Sequence, residues 1–289
     1  MLPRMYVPVP TKDPTAVEVE VQAAYLGMFP RGERLFVPRV FKWAIECFTG
    51  KYGDYQAIDA RYHDFEHTLQ GTLCLGRLLR ARQAAGAQPL LTPHSFELAL
   101  VACLLHDTGY LKRRNDTEGT GAKYTVTHVS RSAQFAAQLL AEKKYAPEDI
   151  EAVRHIILCT GVSAELSAIR FQSELEKVCG CALATADLLG QMAAEDYLEK
   201  LPVLYAEFAE AVCFSGSHDH FIARFSSARD LIERTPGFWN EFILPKLEGD
   251  LMGLYRFLND PLPDGPNYYL ARIAENMERL QRGLERHVA

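Results

Sequence analysis

One stretch constrains this chain more than any other: Leu98-Ala99-Leu100-Val101-Ala102-Cys103-Leu104-Leu105, followed at once by His106-Asp107. Eight small or apolar residues in a row read as a helix buried on every side. That helix carries an imidazole and a carboxylate into the interior at its end. A buried carboxylate is costly unless it is hydrogen-bonded, paired or bound to a cation. Neutral imidazole and carboxylate are both ligands for divalent metals. A helix end with an internally hydrogen-bonded His and Asp satisfies the same segment, so the pair must be judged by its neighbours. Gly109 is expected to end the helix by taking a positive φ.

The remaining pattern is helical throughout. Residues 1–15 hold four prolines and read as an extended lead-in. A short helix over 16–29 ends before Pro30. Apolar positions Val40, Phe41, Trp43, Ala44, Ile45 and Phe48 mark one face of a helix from Pro38 to Gly50. Arg61 to Thr68 leads into Leu69, Leu73, Leu75, Leu78 and Leu79 at helical spacing, with Tyr62 or Asp64 near the helix start. Residues 82–94 form a loop, and so do 111–125, whose Lys112, Arg113, Arg114 and Lys123 suit a mobile lid over a phosphate. Thr127 is the expected N-cap of the next helix. Pro147-Glu148-Asp149 opens another, with proline first and acids in the first turn. Glu174 to Met192 reads as one helix, and helical patterns continue over 194–214, 218–233, 236–258 and 268–286. No segment sustains period-two alternation, so the chain is expected to be all-α.

Candidate ligands lie scattered along these helices. His63 and His67, four residues apart, share a helix face. Two such histidines suit one metal, or one ligates while the other handles a proton. His128 opens a helix, and His155 lies within the apolar stripe Val153 to Leu158. Asp187 sits within Ala182-Leu183-Ala184-Thr185-Ala186-Asp187-Leu188-Leu189-Gly190, where a carboxylate needs a partner. His67, His106, Asp107, His128, His155 and Asp187 together are the ligand types that a helical bundle gathers from facing helices. Six ligands with a bridging carboxylate suit two metals about 3.5–4 Å apart.

Composition narrows the partners. A formal charge of −6, with no long basic cluster, gives no attraction to nucleic acid polymers or anionic membranes. No stretch approaches the roughly 18 apolar residues of a membrane span, and Met1 to Tyr6 lack a basic-then-apolar leader. The seven cysteines include no CxxC pair and read as reduced core residues of a cytoplasmic protein.

The order His, then His-Asp, then a distal Asp resembles the HD-domain superfamily of metal-dependent phosphohydrolases, over residues 60–190. Tyr62-His63-Asp64-Phe65-Glu66-His67 is similar to the metal and acid motif of class I cyclic nucleotide phosphodiesterases. Thr235 to Pro245 is similar to that family's base-gripping segment. The resemblance implies that His63 is a catalytic general acid and that His67, His106, Asp107 and Asp187 hold a tightly bound metal, with Asp107 bridging to a second. It divides the chain into a lead-in (1–37), an HD-type metal-binding core (38–215) and C-terminal helices packing on that core (216–289). Three departures stand out. Thr235 falls near the position of the purine-reading glutamine. Tyr110 replaces both the family's second histidine and the lysine often found after His-Asp-x-Gly. His128 and His155 stand where bacterial cyclic dinucleotide phosphodiesterases and di-iron oxygenases of the superfamily place second-metal ligands.

The expectation is a phosphohydrolase, more specifically a phosphodiesterase acting on a small nucleotide-like phosphate ester through a metal-activated water. It needs one or two divalent ions (Mn, Mg, Fe, Zn or Ni). Tyr110, Arg131 and Arg154 are the candidate substrate contacts, and a homodimer is left open. The alternatives are a mixed-valent di-iron oxygenase and a non-catalytic nucleotide-binding module.

Overall fold

The computed structural model describes residues 8–215 and 221–285. Eleven α-helices appear among them. They are α1 (Pro14–Met28), α2 (Phe36–Phe48), α3 (Phe65–Ala84), α4 (Pro93–Leu105), α5 (His128–Glu142) and α6 (Pro147–Leu158). They continue with α7 (Glu174–Met192), α8 (Tyr197–Ser215), α9 (Ala228–Phe238), α10 (Leu244–Glu248) and α11 (Tyr268–Glu285). The fold is all-α, as expected, and no described helix is long and apolar enough to cross a membrane.

The apolar run forms the centre. Every residue from Leu98 to Leu105 is buried in α4. A capping box between Thr92 and Ser95 starts this helix. Helix α4 packs against α2, α3, α6 and α7, while α3 and α7 make the most extensive helix–helix contact among the described residues. Glycine permits that closeness. A Cβ on Gly190 of α7 would come within 2.8 Å of the Gln70 and Gly71 backbone of α3. Asp64 caps α3 by accepting the His67 amide at 2.9 Å and is itself held by Lys200 at 2.7 Å.

Local differences from the sequence reading have physical causes. Helix α4 ends at Leu105, and Gly109 lies in a 3-10 turn, Thr108–Tyr110, without a positive φ. Glycine is required there for approach instead, because a Cβ would stand 2.0 Å from the His128 carbonyl oxygen. Thr127 precedes α5 but does not cap it; its hydroxyl donates to the Tyr124 carbonyl. The helix expected over 236–258 is broken into a π turn (Trp239–Ile243), α10 and a 3-10 turn (Leu254–Leu258). Pro236 and Pro245 each remove an amide donor from this stretch. The helix expected from 218 begins at Ala228, and residues 218–220 lie outside the described residues, as does 286. The lead-in carries α1, whose Val17, Val21 and Tyr25 are buried in the main core.

The C-terminal helices share that core. Ile243, Leu247, Leu258 and Ile273 are fully buried in it. Asn276 of α11 donates to the carbonyls of Met192 and Ala194 at 2.9 Å, fastening α11 to the end of α7.

Candidate metal centre

Four side chains from three places meet where α3, the end of α4 and α7 come together. His67 Nε2 lies 3.3 Å from Asp107 Oδ2 and 3.1 Å from Asp187 Oδ1. His106 Nε2 lies 3.3 Å and 3.5 Å from the same two oxygens. His67, His106 and Asp107 are at most 4% exposed. Three other His–carboxylate pairs of the described residues give a scale for these distances, while His155 Nε2 and Glu151 stand further off at 3.9 Å. His63–Glu207, His94–Asp149 and His155–Glu176 close to 2.6–2.7 Å, as charge-assisted hydrogen bonds do. The central four stand further apart. His106 Nε2, Asp107 Oδ2 and His67 Nδ1 are buried without a hydrogen-bond partner.

A single cation accounts for that spacing. Ligand atoms about 2.1 Å from an ion lie about 3.0 Å apart along an octahedral edge and about 3.4 Å apart along a tetrahedral one. Two imidazole nitrogens with two carboxylate oxygens suit Mn, Fe, Ni or Zn. His106 is also held in the ligating tautomer, since its Nδ1 meets the Cys103 carbonyl at 2.7 Å and leaves Nε2 free for a metal. The residues present therefore fit the expected ion.

The electrostatics agree with this. Burial alone would lower His106, but Asp107 and Asp187 beside it raise it to about 10. Burial alone would raise both carboxylates, yet the neighbouring imidazoles hold Asp107 and Asp187 below the usual range. The cluster thus gathers negative charge that attracts a cation, whether protons or a metal.

A cavity of about 440 Å³ opens from this cluster. His63, His67, Asp107, Tyr110, His128 and Asp187 line it. Tyr110 stacks on His63 with ring centroids 4.5 Å apart and on His128 at 4.8 Å. Nδ1 of His63 meets Glu207 Oε2 at 2.6 Å, and Nδ1 of His128 meets the Thr125 carbonyl at 2.6 Å. Burial would lower His63, but Glu207 raises it; burial lowers His128 to about 4. Of the segment Thr235 to Pro245, expected from the resemblance to grip a base, Thr235, Phe238 and Ile243 reach the cavity wall.

Other expected contacts lie elsewhere. His155 does not line the cavity. It pairs with Glu176 at 2.6 Å and packs on Phe171, so the second-metal set lacks this ligand. Arg154 is bound to Glu151 at 2.6 Å. Arg131 donates to the carbonyls of Gly109 and Leu111 at 2.7 and 2.8 Å and stacks on Tyr124. It therefore clamps the turn after Asp107 rather than reaching substrate in the cavity. The cations of 111–125 are similarly engaged: Lys112 with Asp59 and Gly119, Arg113 over Tyr55, Arg114 with Gly50, and Lys123 with Asp116. Their backbone partners and ring contacts leave no row of cations poised for phosphate.

Three positioning groups were missed in the sequence. Glu207 orients His63 and also accepts the Tyr62 amide at 2.7 Å. Ser132 accepts the Gly109 amide at 2.8 Å, fixing the turn that follows Asp107. Gln191 accepts the Tyr62 hydroxyl at 2.8 Å and donates toward Asp187. Glu207, flanked by Ala206 and Phe208, carried the same signal as Asp187, an acid in an apolar helical setting.

A family model described as Npun_R2479-like matches residues 114–257, a little under half of the chain. The match includes His128, His155, Asp187 and Glu207; His63, His67, His106 and Asp107 precede it. No curated protein matches the chain.

Proposed function

We propose that the chain is a metal-dependent phosphohydrolase of the HD type that cleaves a phosphodiester. The observation that carries this reading is the juxtaposition of two features on one cavity. Four metal-ligand side chains stand at 3.1–3.5 Å without closing on one another, and His63 lies beside them with its Nδ1 held by Glu207.

A bound divalent ion supplies Lewis-acid polarisation of phosphoryl oxygen and acidifies a water molecule. His67, His106, Asp107 and Asp187 would hold that ion. In the hydrolysis, the water oxygen would bond to phosphorus as the P–O bond to the leaving alcohol breaks, His63 Nε2 would give its proton to the departing oxygen, and the proton lost by the water would pass to solvent, from which His63 is reprotonated. Glu207 keeps the imidazole oriented and favours its protonated form. Such general-acid assistance is worth about 100- to 10,000-fold.

Hydrolysis of bis-p-nitrophenyl phosphate with added manganese tests the reading. The native protein is expected to turn over and Asp107→Ala to lose both metal and turnover. His63→Ala is expected to keep its metal and lose about 100-fold or more in kcat. A metal-loaded native protein that hydrolyses no phosphate ester would overturn the proposal and leave a binding module.

A further inference from the structure

The cavity beyond the metal cluster is built for an apolar body. Phe208, Phe225, Phe238, Leu204, Leu231 and Ile243 are on its wall. Phe208 stacks on Phe225 with ring centroids 6.0 Å apart, and Phe221 meets Phe225 edge-on at 5.4 Å. A nucleotide needs side chains that read a base edge and sugar hydroxyls, and a site built to read them leaves donors and acceptors free.

Here most of those groups near the phenylalanine wall are already engaged. Gln191 is shared between Tyr62 and Asp187. The Thr235 hydroxyl, near the expected base-reading position, donates to the Leu231 carbonyl at 2.8 Å. Thr160 donates to Ile157 at 2.8 Å and Ser130 to Thr127 at 2.9 Å. Arg234 lines the cavity, but its side chain is 58% exposed and its Nε donates to Asp230. Ser163 and the hydroxyls of Tyr110 and Tyr197 remain uncommitted among the described lining residues, and both tyrosines stand at the His63–His67 end, where the phosphate is placed, not on the phenylalanine wall. A purine in this cavity would bury its polar edge against rings and methyl groups, at the cost of unpaired donors and acceptors.

We infer that the phosphate ester taken by this site carries a bulky apolar organic group, aliphatic or aromatic, and that nucleotides are poor ligands. The inference rests on the metal-centre reading above for the placement of the phosphate. The phosphoryl oxygens sit at the carboxylate–imidazole end, and the organic group extends along the phenylalanine wall.

Alkylphosphonates test this directly, because their P–C bond resists hydrolysis. Methyl-, butyl- and hexylphosphonate are titrated calorimetrically into manganese-loaded protein beside adenosine 5′-monophosphate. Each buried methylene is worth about fourfold in affinity, and hence roughly 1,000-fold from methyl to hexyl. F225Q is expected to reduce that gain by about tenfold or more, with metal content as its folding control. Adenosine 5′-monophosphate is expected to bind well below hexylphosphonate.

A flat series, or a nucleotide that outranks hexylphosphonate, overturns the inference. If bis-p-nitrophenyl phosphate is hydrolysed and the series is flat, the inference alone falls. If the series is steep and no ester is hydrolysed, the ligand class stands and the hydrolase reading falls.

Discussion

At His63 the nitrogen that faces the cavity is set by a carboxylate 144 residues away in the sequence. Glu207 holds Nδ1 at 2.6 Å, so Nε2 is the nitrogen left without that partner in a residue that lines the cavity. We predict that Glu207→Gln keeps its metal but loses roughly 10- to 100-fold in kcat. The sign of the pH effect follows from the same contact. Glu207 raises His63 against the opposing effect of burial. Without that charge the imidazolium gives up its proton at lower pH, and a general acid works only while protonated. The alkaline limb of the kcat profile should therefore move to lower pH, and an unmoved limb would remove Glu207 from this role. That His106, Asp107 and Asp187 meet other polar side chains was legible because a His-Asp pair and an isolated Asp in apolar helices need partners. Arg131 and Arg154 were not, since a sequence does not say whether an arginine meets a substrate, a backbone carbonyl or a neighbouring glutamate. Each found a nearer partner within the protein.

Element by element, the centre depends on how close α3 and α7 can run. His67 and Asp187 belong to these two helices, and Gly71 and Gly190 lie at their contact. Alanine has the better intrinsic helix propensity by about 1 kcal/mol. A Cβ at 190 would nevertheless stand 2.8 Å from backbone atoms of α3 that cannot swing aside. Gly190→Ala is therefore expected to destabilise the fold by about 1–3 kcal/mol in urea unfolding and to weaken metal binding with it. A gain in stability would show that the helices separate without strain. Helix existence was readable from apolar spacing, as Glu174–Met192 and the Pro147 start illustrate. The breaks after Phe238 were not, because prolines at 236 and 245 are tolerated in helical turns whose hydrogen bonding shifts register. Gly109 was singled out for a positive φ, yet it is needed for the approach of α5, a distance that only the assembled fold defines.

For the whole molecule, one core runs from α1 to α11. Six of the seven cysteines are buried in the described structure, and Cys213 is exposed. Burial pushes the Cys47, Cys74 and Cys179 thiols up to about 12, against the thiolate form that reacts with electrophiles. Thiol labelling of the native protein should modify Cys213 rapidly and leave Cys179 and Cys181 untouched until denaturant is added. Rapid native labelling at Cys179 or Cys181 would contradict the buried α7. The close Cys179-Gly180-Cys181 spacing is accordingly a packing feature, since Gly180 lies against the Cys159 sulfur.

The central claim is that four residues hold one divalent ion. Manganese binding, followed by its electron paramagnetic resonance signal, measures this for the native protein and for His67→Ala, His106→Ala, Asp107→Ala, Asp187→Ala and His155→Ala. The account predicts one tightly held ion per native chain, loss or at least about tenfold weakening in the first four variants, and undiminished binding in His155→Ala. A native protein that takes up no divalent ion, or first four variants that bind as the native chain does, would contradict it.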